Sequence, residues 1–303
     1  MMEFTVFQQK ITELLPQIVL RYNEPMCKHT SFRIGGPAEV MAFPKTSDEL
    51  REILKVSALL DTKPAILGAG TNVLAPDAGL KGLVICLKDC MSGLELMDNC
   101  RIRVAAGVTM TKAAVFAANH GLSGLEFAHG IPGTVGGGVY MNAGAYGGEI
   151  CQVCESVDVM DRNGSLCTIT NEEMAFSYRH SVLEETGDIV VSAVFNLQQK
   201  DPAEIKETMR LLMAKRSASQ PLDLPSAGSA FKRPVGGYAA ALIDQAGLKG
   251  YRVGDAGVSE KHAGFVVNYG NATAANVITV LRYVSDKVFL DSGIRLLPEI
   301  RVW

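Results

Sequence analysis

Tryptophan occurs once in the 303 residues, and no apolar run reaches the roughly 18 residues that a membrane-spanning helix requires. Neither sign of charge dominates. Lys and Arg number 29 against 32 Asp and Glu, and a net charge of −3 excludes bulk electrostatic affinity for nucleic acid or an anionic membrane. Charged residues are only 20% and apolar ones 48%, which excludes a disordered or fibrous chain. The first 20 residues carry Glu3, Lys10 and Glu13 at helical intervals, a pattern unlike a secretory signal. A cytoplasmic, monomeric protein with a small-molecule substrate is expected.

Paired cysteine motifs are missing too. The seven cysteines are an odd number, Cys86 lies in the apolar run Val84-Ile85-Cys86-Leu87, and the single Cys151-x-x-Cys154 has no second pair. This suits reduced, packed thiols better than disulfides, and no metal site is expected.

Glycine is in excess, at 30 residues against a typical ~7%, and it is clustered. Around the clusters the chain alternates helices and strands. Phe4, Phe7, Ile11 and Leu14 or Leu15 predict an amphipathic helix over the first 22 residues. Thr46-Ser-Asp-Glu49 is a capping box opening a helix to about Leu60. Strands are predicted at Pro64–Leu67, Leu83–Leu87, Ile102–Ala105, Ile189–Leu197, Phe265–Asn268 and Leu296–Val302, with a hairpin turn at Asp161–Gly164. Further helices are predicted at Thr109–Asn119, Pro202–Ser217, Tyr238–Ala246 and Thr273–Phe289.

The first glycine cluster, Leu67-Gly68-Ala69-Gly70-Thr71-Asn72, follows a strand but is not a dinucleotide fingerprint, because Val73 stands where the third glycine belongs. It can be an anion-binding nest or a tight turn. The second runs Gly130-Ile131-Pro132-Gly133-Thr134-Val135-Gly136-Gly137-Gly138 and on to Tyr140-Met141-Asn142-Ala143-Gly144. Glycine lets backbone approach a ligand, and a helix starting near Thr134 would aim its N–H groups at a phosphate. No phosphate lysine is present, so a P-loop is excluded. Two such clusters suit a ligand with a pyrophosphate and a flat ring.

With Thr30-Ser-Phe-Arg-Ile-Gly-Gly-Pro37, Gly124-Leu-Glu-Phe-Ala-His-Gly130, Ser177-Tyr-Arg179, Ala227-Gly-Ser229, Phe231-Lys232 and Pro298-Glu299, these segments run in order over nearly the whole chain. The chain resembles the UDP-N-acetylenolpyruvoylglucosamine reductase family, flavoenzymes of bacterial cell-wall synthesis. The resemblance implies an α+β fold: a two-part FAD-binding domain of the vanillyl-alcohol-oxidase-like type, then a smaller α/β substrate-binding domain. The parts are expected at 1–88, with the C-terminal strand 295–303 returning to it, at 89–200 and at 201–294. Arg179 to Ser192 is too short to hold the substrate-covering loop of the family's longer form, so the shorter form is expected. Another FAD oxidoreductase of the same fold is the alternative.

The implied chemistry uses FAD and NADPH. NADPH reduces FAD, and the flavin then gives hydride to the enolpyruvyl group of UDP-N-acetylglucosamine enolpyruvate. Leu67, Gly68, Ala69, Gly70, Thr71, Asn72, Gly130, Ile131, Pro132, Gly133, Thr134, Gly136, Gly137, Asn142 and Gly144 are expected at the cofactor. By family match Arg179 polarises the substrate carboxylate, for which its planar fork is suited, and Ser229 is the acid. Glu299 is expected beside that carboxylate, where two carboxylates hold one proton between them. Tyr178, Arg216, Lys232 and Arg233 are expected at the substrate, Arg216 by its place on the stripe Ile205, Met209, Leu212. Lys249, Lys261, His262 and Asn268 are weaker candidates.

Relatives in the wider group attach flavin through a His after paired glycines, but here Pro37 follows Gly35-Gly36. The FAD is therefore expected to be non-covalent. Acid precipitation should release all the yellow colour to the supernatant, and colour kept in the pellet would contradict the argument from Pro37.

Overall fold

The computed structural model describes residues 5–303 and divides into two units. The first comprises residues up to Tyr22 with Glu39–Ala69 and Gly82–Ala214; the second comprises Asn23–Ala38, Gly70–Lys81 and Lys215–Trp303.

In the first unit a helix, Val6–Leu14, is closed by a capping box in which Thr5 and Gln8 exchange bonds. The predicted helix over the first 22 residues ends early, because Pro16 cannot continue it, and Val19–Pro25 is a strand instead. Phe4, part of that prediction, lies outside the described residues. The strand joins a four-stranded sheet in the order Val19–Pro25, Pro37–Phe43, Leu80–Cys86, Ala65–Leu67. Its last pair is parallel, with Leu67 opposite Cys86. The helix Ser47–Leu59 covers it with Leu50, Ile53 and Leu54 buried. Thr46 caps that helix, while Glu49 reaches back to Lys45 N (2.6 Å) and not to the cap residue's own N–H.

A five-stranded antiparallel sheet follows, in the order Leu166–Thr170, Cys154–Met160, Ile189–Asn196, Arg101–Ala105, Leu94–Leu96. Helices Met110–Asn119 and Val135–Tyr140 belong with it, and Ile189–Asn196 is buried along nearly its whole length. The division expected at 88 falls between these two sheets, though not between two cores. One apolar cluster runs from Ile11 through Leu87, Val104 and Phe195 to Met209, so both halves share a core.

The second unit centres on an antiparallel sheet in the order Ser226–Ser229, Phe265–Asn268, Ala256–Val258, Arg252–Val253. The helix Ala274–Ser292 buries Val277, Val280, Leu281, Val284 and Val288, and Gly293 at φ +72° ends it. The expected boundary at 200/201 also moves. The helix Pro202–Ser219 begins in the first unit, and the division falls at 214/215. Two early segments join the C-terminal residues because their apolar side chains are buried there: Phe32, Ile34 and Leu74 share a core with Ile243, Val266 and Leu296. The C-terminal strand does return to an early segment, but only Arg301–Val302 is strand, and it pairs in parallel with Val73–Leu74 of the same unit.

Asp77 ties one early segment to the long helix. Its carboxylate accepts from Ala274 N (2.8 Å) and Ala275 N (3.1 Å), two N–H groups that the helix itself cannot satisfy, at the positive end of its dipole. Asp77→Ala should lower unfolding free energy by about 1 kcal/mol on the scale of helix-capping substitutions. Equilibrium denaturation would show no change if Thr273 alone suffices as the cap.

Candidate active site

The two glycine clusters meet in the first unit. Gly68 follows the strand Ala65–Leu67, and an ideal Cβ on it would stand 2.5 Å from Thr134 Oγ1. Thr134 is 1% exposed and caps the helix Val135–Tyr140. Only a residue without a side chain fits at position 68.

That helix does not offer its N-terminus to a phosphate, contrary to the sequence expectation. Val135 N donates to Val108 O (2.8 Å), Gly136 N to Ala106 O (2.9 Å) and Gly137 N to Thr134 Oγ1 (3.4 Å). The neighbouring backbone at 106–108 takes two of those groups, and the cap residue itself takes the third. Gly136 is a packing glycine, since its Cβ would lie 2.9 Å from Ala106 Cβ.

The half-buried backbone of Gly68, Ala69, Gly130, Ile131 and Gly133, with Pro132 exposed, forms the cradle that remains. Gly133 holds φ +141°, open to glycine, and its carbonyl accepts from Met110 N (3.0 Å). His129 O accepts from Thr111 Oγ1 (2.7 Å), which pins the entry to the loop. The ring Nδ1 of His129 is buried with no hydrogen-bond partner among the described residues, an atom for a bound group to satisfy. A narrow cradle of small residues beside such an atom fits the flavin nucleotide.

Gly70, Thr71 and Asn72 belong to the second unit. Gly70 (φ +61°) lies so close to His29 that a Cβ would be 2.2 Å from its carbonyl oxygen, and Gly70 O accepts from Ser31 N (3.1 Å). Ser31 Oγ donates to Ser226 O (2.6 Å), so the motif Thr30–Pro37 braces the glycine turn. Gly35 and Gly36 are paired for the same reason: a Cβ would stand 2.6 Å from Ala75 Cβ at one and 2.2 Å from Asp77 O at the other.

Arg179 stands at the tip of a two-residue hairpin. Ser177 and His180 exchange both backbone hydrogen bonds around Tyr178 and Arg179. Arg179 holds φ +56°, unusual for a residue with a side chain. Its Nη2 donates to Gly144 O (3.3 Å), and its Cζ lies 5.3 Å from the half-exposed Tyr178 ring. A single helical turn, Leu183–Thr186, then leads to the next strand, so the connection is as short as expected.

Asn142, expected at the cofactor, has its side-chain amide committed to the protein. It is 1% exposed, and its amide is engaged with the protein: Nδ2 donates to Glu149 Oε2 (3.0 Å) and Ser177 O (3.1 Å), and Oδ1 accepts from Cys151 N (3.0 Å). Gly144 is a close-packing position, where a Cβ would lie 2.7 Å from Glu149 Cγ.

In the second unit Ser229 and Glu299 are neighbours through backbone. Glu299 N donates to Ala230 O (2.9 Å), Lys232 N donates to Leu297 O (2.8 Å), and Phe231 bridges Pro298 between them. Asn72 Nδ2 donates to Glu299 O (3.2 Å) from the other side. Ser229 is exposed at the end of an irregular strand whose Gly228 holds φ +76°. Lys232 and Arg233 are exposed, with Arg233 Cζ 4.2 Å over the Tyr238 ring. Arg216 is half-buried in the last turn of its helix, in line with buried Ile205 and Met209.

The weaker candidates are tied up structurally. Lys249 pairs with Asp244 (2.7 Å), and Lys261 Nζ donates to Ser217 O (2.7 Å). Burial lowers the His262 pKa, and its Nδ1 accepts from Gly264 N (3.1 Å). Asn268 is buried, donating to Phe32 O and accepting from Gly270 N and Ala272 N. Burial also pushes the Cys154 thiol up to about 12 and raises Cys151, which favours the protonated thiol at both.

Thr109 supports Thr134 from the preceding helix. It caps its own helix and bridges Thr134, a contact that no local pattern announces.

Gly68→Val should displace Thr134, uncap its helix and yield folded protein with little bound flavin. Measured as the ratio of absorbance near 450 nm to that at 280 nm, a normal flavin content would mean that the meeting of the two clusters is only structural.

A family profile described as the C-terminal domain of UDP-N-acetylenolpyruvoylglucosamine reductase matches residues 220–303, and one described as an FAD binding domain matches residues 38–170. The chain is 48% identical to the UDP-N-acetylenolpyruvoylglucosamine reductase of Agathobacter rectalis, over 98% of each chain. It is 44% identical to that of Caldanaerobacter subterraneus subsp. tengcongensis, again over 98% of each. The crystal structure of the Thermus caldophilus reductase superimposes with a TM-score of 0.80 at 35% identity, covering 95% of this chain and 99% of that one. An alkyldihydroxyacetonephosphate synthase shares the fold at 13% identity and a TM-score of 0.51, over 66% of this chain and 42% of that one. By these matches the chain belongs to the UDP-N-acetylenolpyruvoylglucosamine reductase family and is an FAD-dependent oxidoreductase of that type.

Proposed function

We propose that the chain reduces UDP-N-acetylglucosamine enolpyruvate to UDP-N-acetylmuramate with NADPH as the electron source, and that Ser229 supplies the proton. The coarser statement, an FAD-dependent UDP-N-acetylglucosamine enolpyruvate reductase of peptidoglycan precursor synthesis, follows from family membership. What supports the finer one is the pairing of Ser229 with Glu299, held by the bond from Glu299 N to Ala230 O.

Bound FAD supplies the two-electron chemistry, taking a hydride equivalent from NADPH and passing one to the terminal carbon of the enolpyruvyl group. The chain's own residues meet what that demands. The carbon–carbon double bond gains hydride at its outer carbon, so the inner carbon must gain a proton. Ser229 Oγ–H gives it, and since Ser229 is exposed in its unit, water returns the proton afterwards. A hydroxyl is a weak acid, yet a carbanion-like centre is basic enough to deprotonate it, and positioned donation contributes about 10²–10⁴ in rate. Arg179 grips the adjacent carboxylate, where negative charge develops, and donors at such a position contribute most in the transition state. Glu299 orients the same group, while Tyr178, Arg216, Lys232 and Arg233 bind the nucleotide-sugar.

Ser229→Ala separates the two halves of the reaction. Flavin bleaching by NADPH should proceed at a near-normal rate. Reoxidation by UDP-N-acetylglucosamine enolpyruvate should slow by about 10²-fold or more, on the general-acid scale. Ser229→Cys should recover part of the loss. Stopped-flow absorbance reads each half separately, and wild-type reoxidation in Ser229→Ala would remove Ser229 from the acid role.

A further inference from the structure

The tip of the hairpin that carries Arg179 has few apolar contacts to hold it. Ser177 and Tyr178 are exposed, and Arg179 and His180 are half-buried. Arg179 also keeps a left-handed backbone, which persists only where the surroundings impose it. Polar bonds hold the residues around it. Ser181 Oγ donates to Tyr140 O (2.8 Å), Val182 N donates to Met174 O (2.9 Å), and Glu184 Oε2 meets His180 Nδ1 at 2.9 Å. From the glycine-rich segment, Asn142 Nδ2 donates to Ser177 O (3.1 Å).

Asn142 is suited to this. It is buried, it sits in a left-handed conformation itself (φ +42°), and its amide links three backbone or side-chain groups. Toward its own segment it donates to Glu149 Oε2 and accepts from Cys151 N, which closes the tight hairpin Gly144–Ala145/Gly148–Glu149. That same small hairpin presents Gly144 O, the acceptor for Arg179 Nη2 at 3.3 Å. One amide therefore fixes both the backbone that carries Arg179 and the carbonyl that Arg179 leans on.

We infer that Asn142 is a positioning residue for Arg179, acting on the substrate half of the reaction through the Ser177–His180 hairpin, and is not a cofactor ligand. The inference rests on Arg179 gripping the substrate carboxylate. Misplacing such a group by about 1 Å costs on the order of 10²-fold in rate.

Two variants test it in the flavin-loaded enzyme. Asn142→Gly tolerates the left-handed backbone but removes the amide. Asn142→Asp combined with Glu149→Gln reverses donor and acceptor across that pair and sets a carboxylate oxygen against Ser177 O in place of the bond to it, with loss also of the long Cys151 Sγ contact to Glu149 Oε2 (3.8 Å). Both should keep flavin content and the rate of flavin reduction by NADPH within about twofold of wild type. Both should slow reoxidation by UDP-N-acetylglucosamine enolpyruvate by about 10–10²-fold. Calorimetric affinity for UDP-N-acetylmuramate, which bears the same carboxylate, should fall alongside. In an Arg179→Ala background neither change should add to the loss, because residues acting through one another are not additive. Loss of flavin from folded Asn142→Gly would return Asn142 to the cofactor and overturn the inference. So would wild-type reoxidation in the double variant, or losses that add to that of Arg179→Ala. If Arg179→Ala itself reoxidises normally, the reading of Arg179 fails first, and the role of Asn142 falls with it.

Discussion

Backbone meeting a neighbouring group with no side chain between them is the constraint on which this structure depends. Gly68 lies against Thr134 Oγ1, Gly70 against the carbonyl of His29, Gly36 against the carbonyl of Asp77, and Gly107 against that of Leu87. At each of these places a Cβ would come within 2.5 Å of its neighbour, so the contact exists only because the residue is glycine. The same absence of side chains leaves narrow, half-exposed backbone at 68–69 and 130–133 that a flat cofactor with a diphosphate can approach. Packing and binding thus draw on one property of one residue type.

A second theme is how polar groups are shared between holding and reacting. Asn72, Asn142 and Asn268 all look like ligands by type, but each bonds the backbone of a distant segment: Glu299, Ser177 and Phe32 respectively. Buried amides are efficient at this, since one side chain both donates and accepts. In the proposed reaction the groups that act are ones whose backbone is held and whose side chain is not enclosed. Ser229 is exposed on a strand end, and Arg179 is at a hairpin tip. Rigid support with an accessible functional atom is what a site requires of its scaffold.

Much of the element pattern was legible in the chain. Thr46, Thr109 and Thr273 mark three helix starts, and each side chain does cap its helix. Asp161–Gly164 turns a hairpin, with Gly164 at φ +85°. These are local signals, carried by residues within one turn of each other. Misreadings arose where a local pattern was interrupted or where a partner came from afar. Pro16 cuts short the helix that Phe7 and Ile11 suggest. The N-terminus of Val135–Tyr140 looked like an anion site until Ala106 and Val108 were seen to occupy its N–H groups.

By itself the sequence determined which residue types stand where: glycine at the close approaches, threonine at the caps at 46, 109 and 273, and Arg179, Ser229 and Glu299 in family order. Only the tertiary structure decided that residues 23–38 and 70–81 leave their sequence neighbours for the C-terminal core, and that Asn142 turns toward Ser177. The physical reason is the same in both cases. Helical periodicity and turn chemistry act over a few residues, whereas burying Phe32, Ile34 and Leu74, or satisfying one buried amide, depends on groups hundreds or tens of positions away.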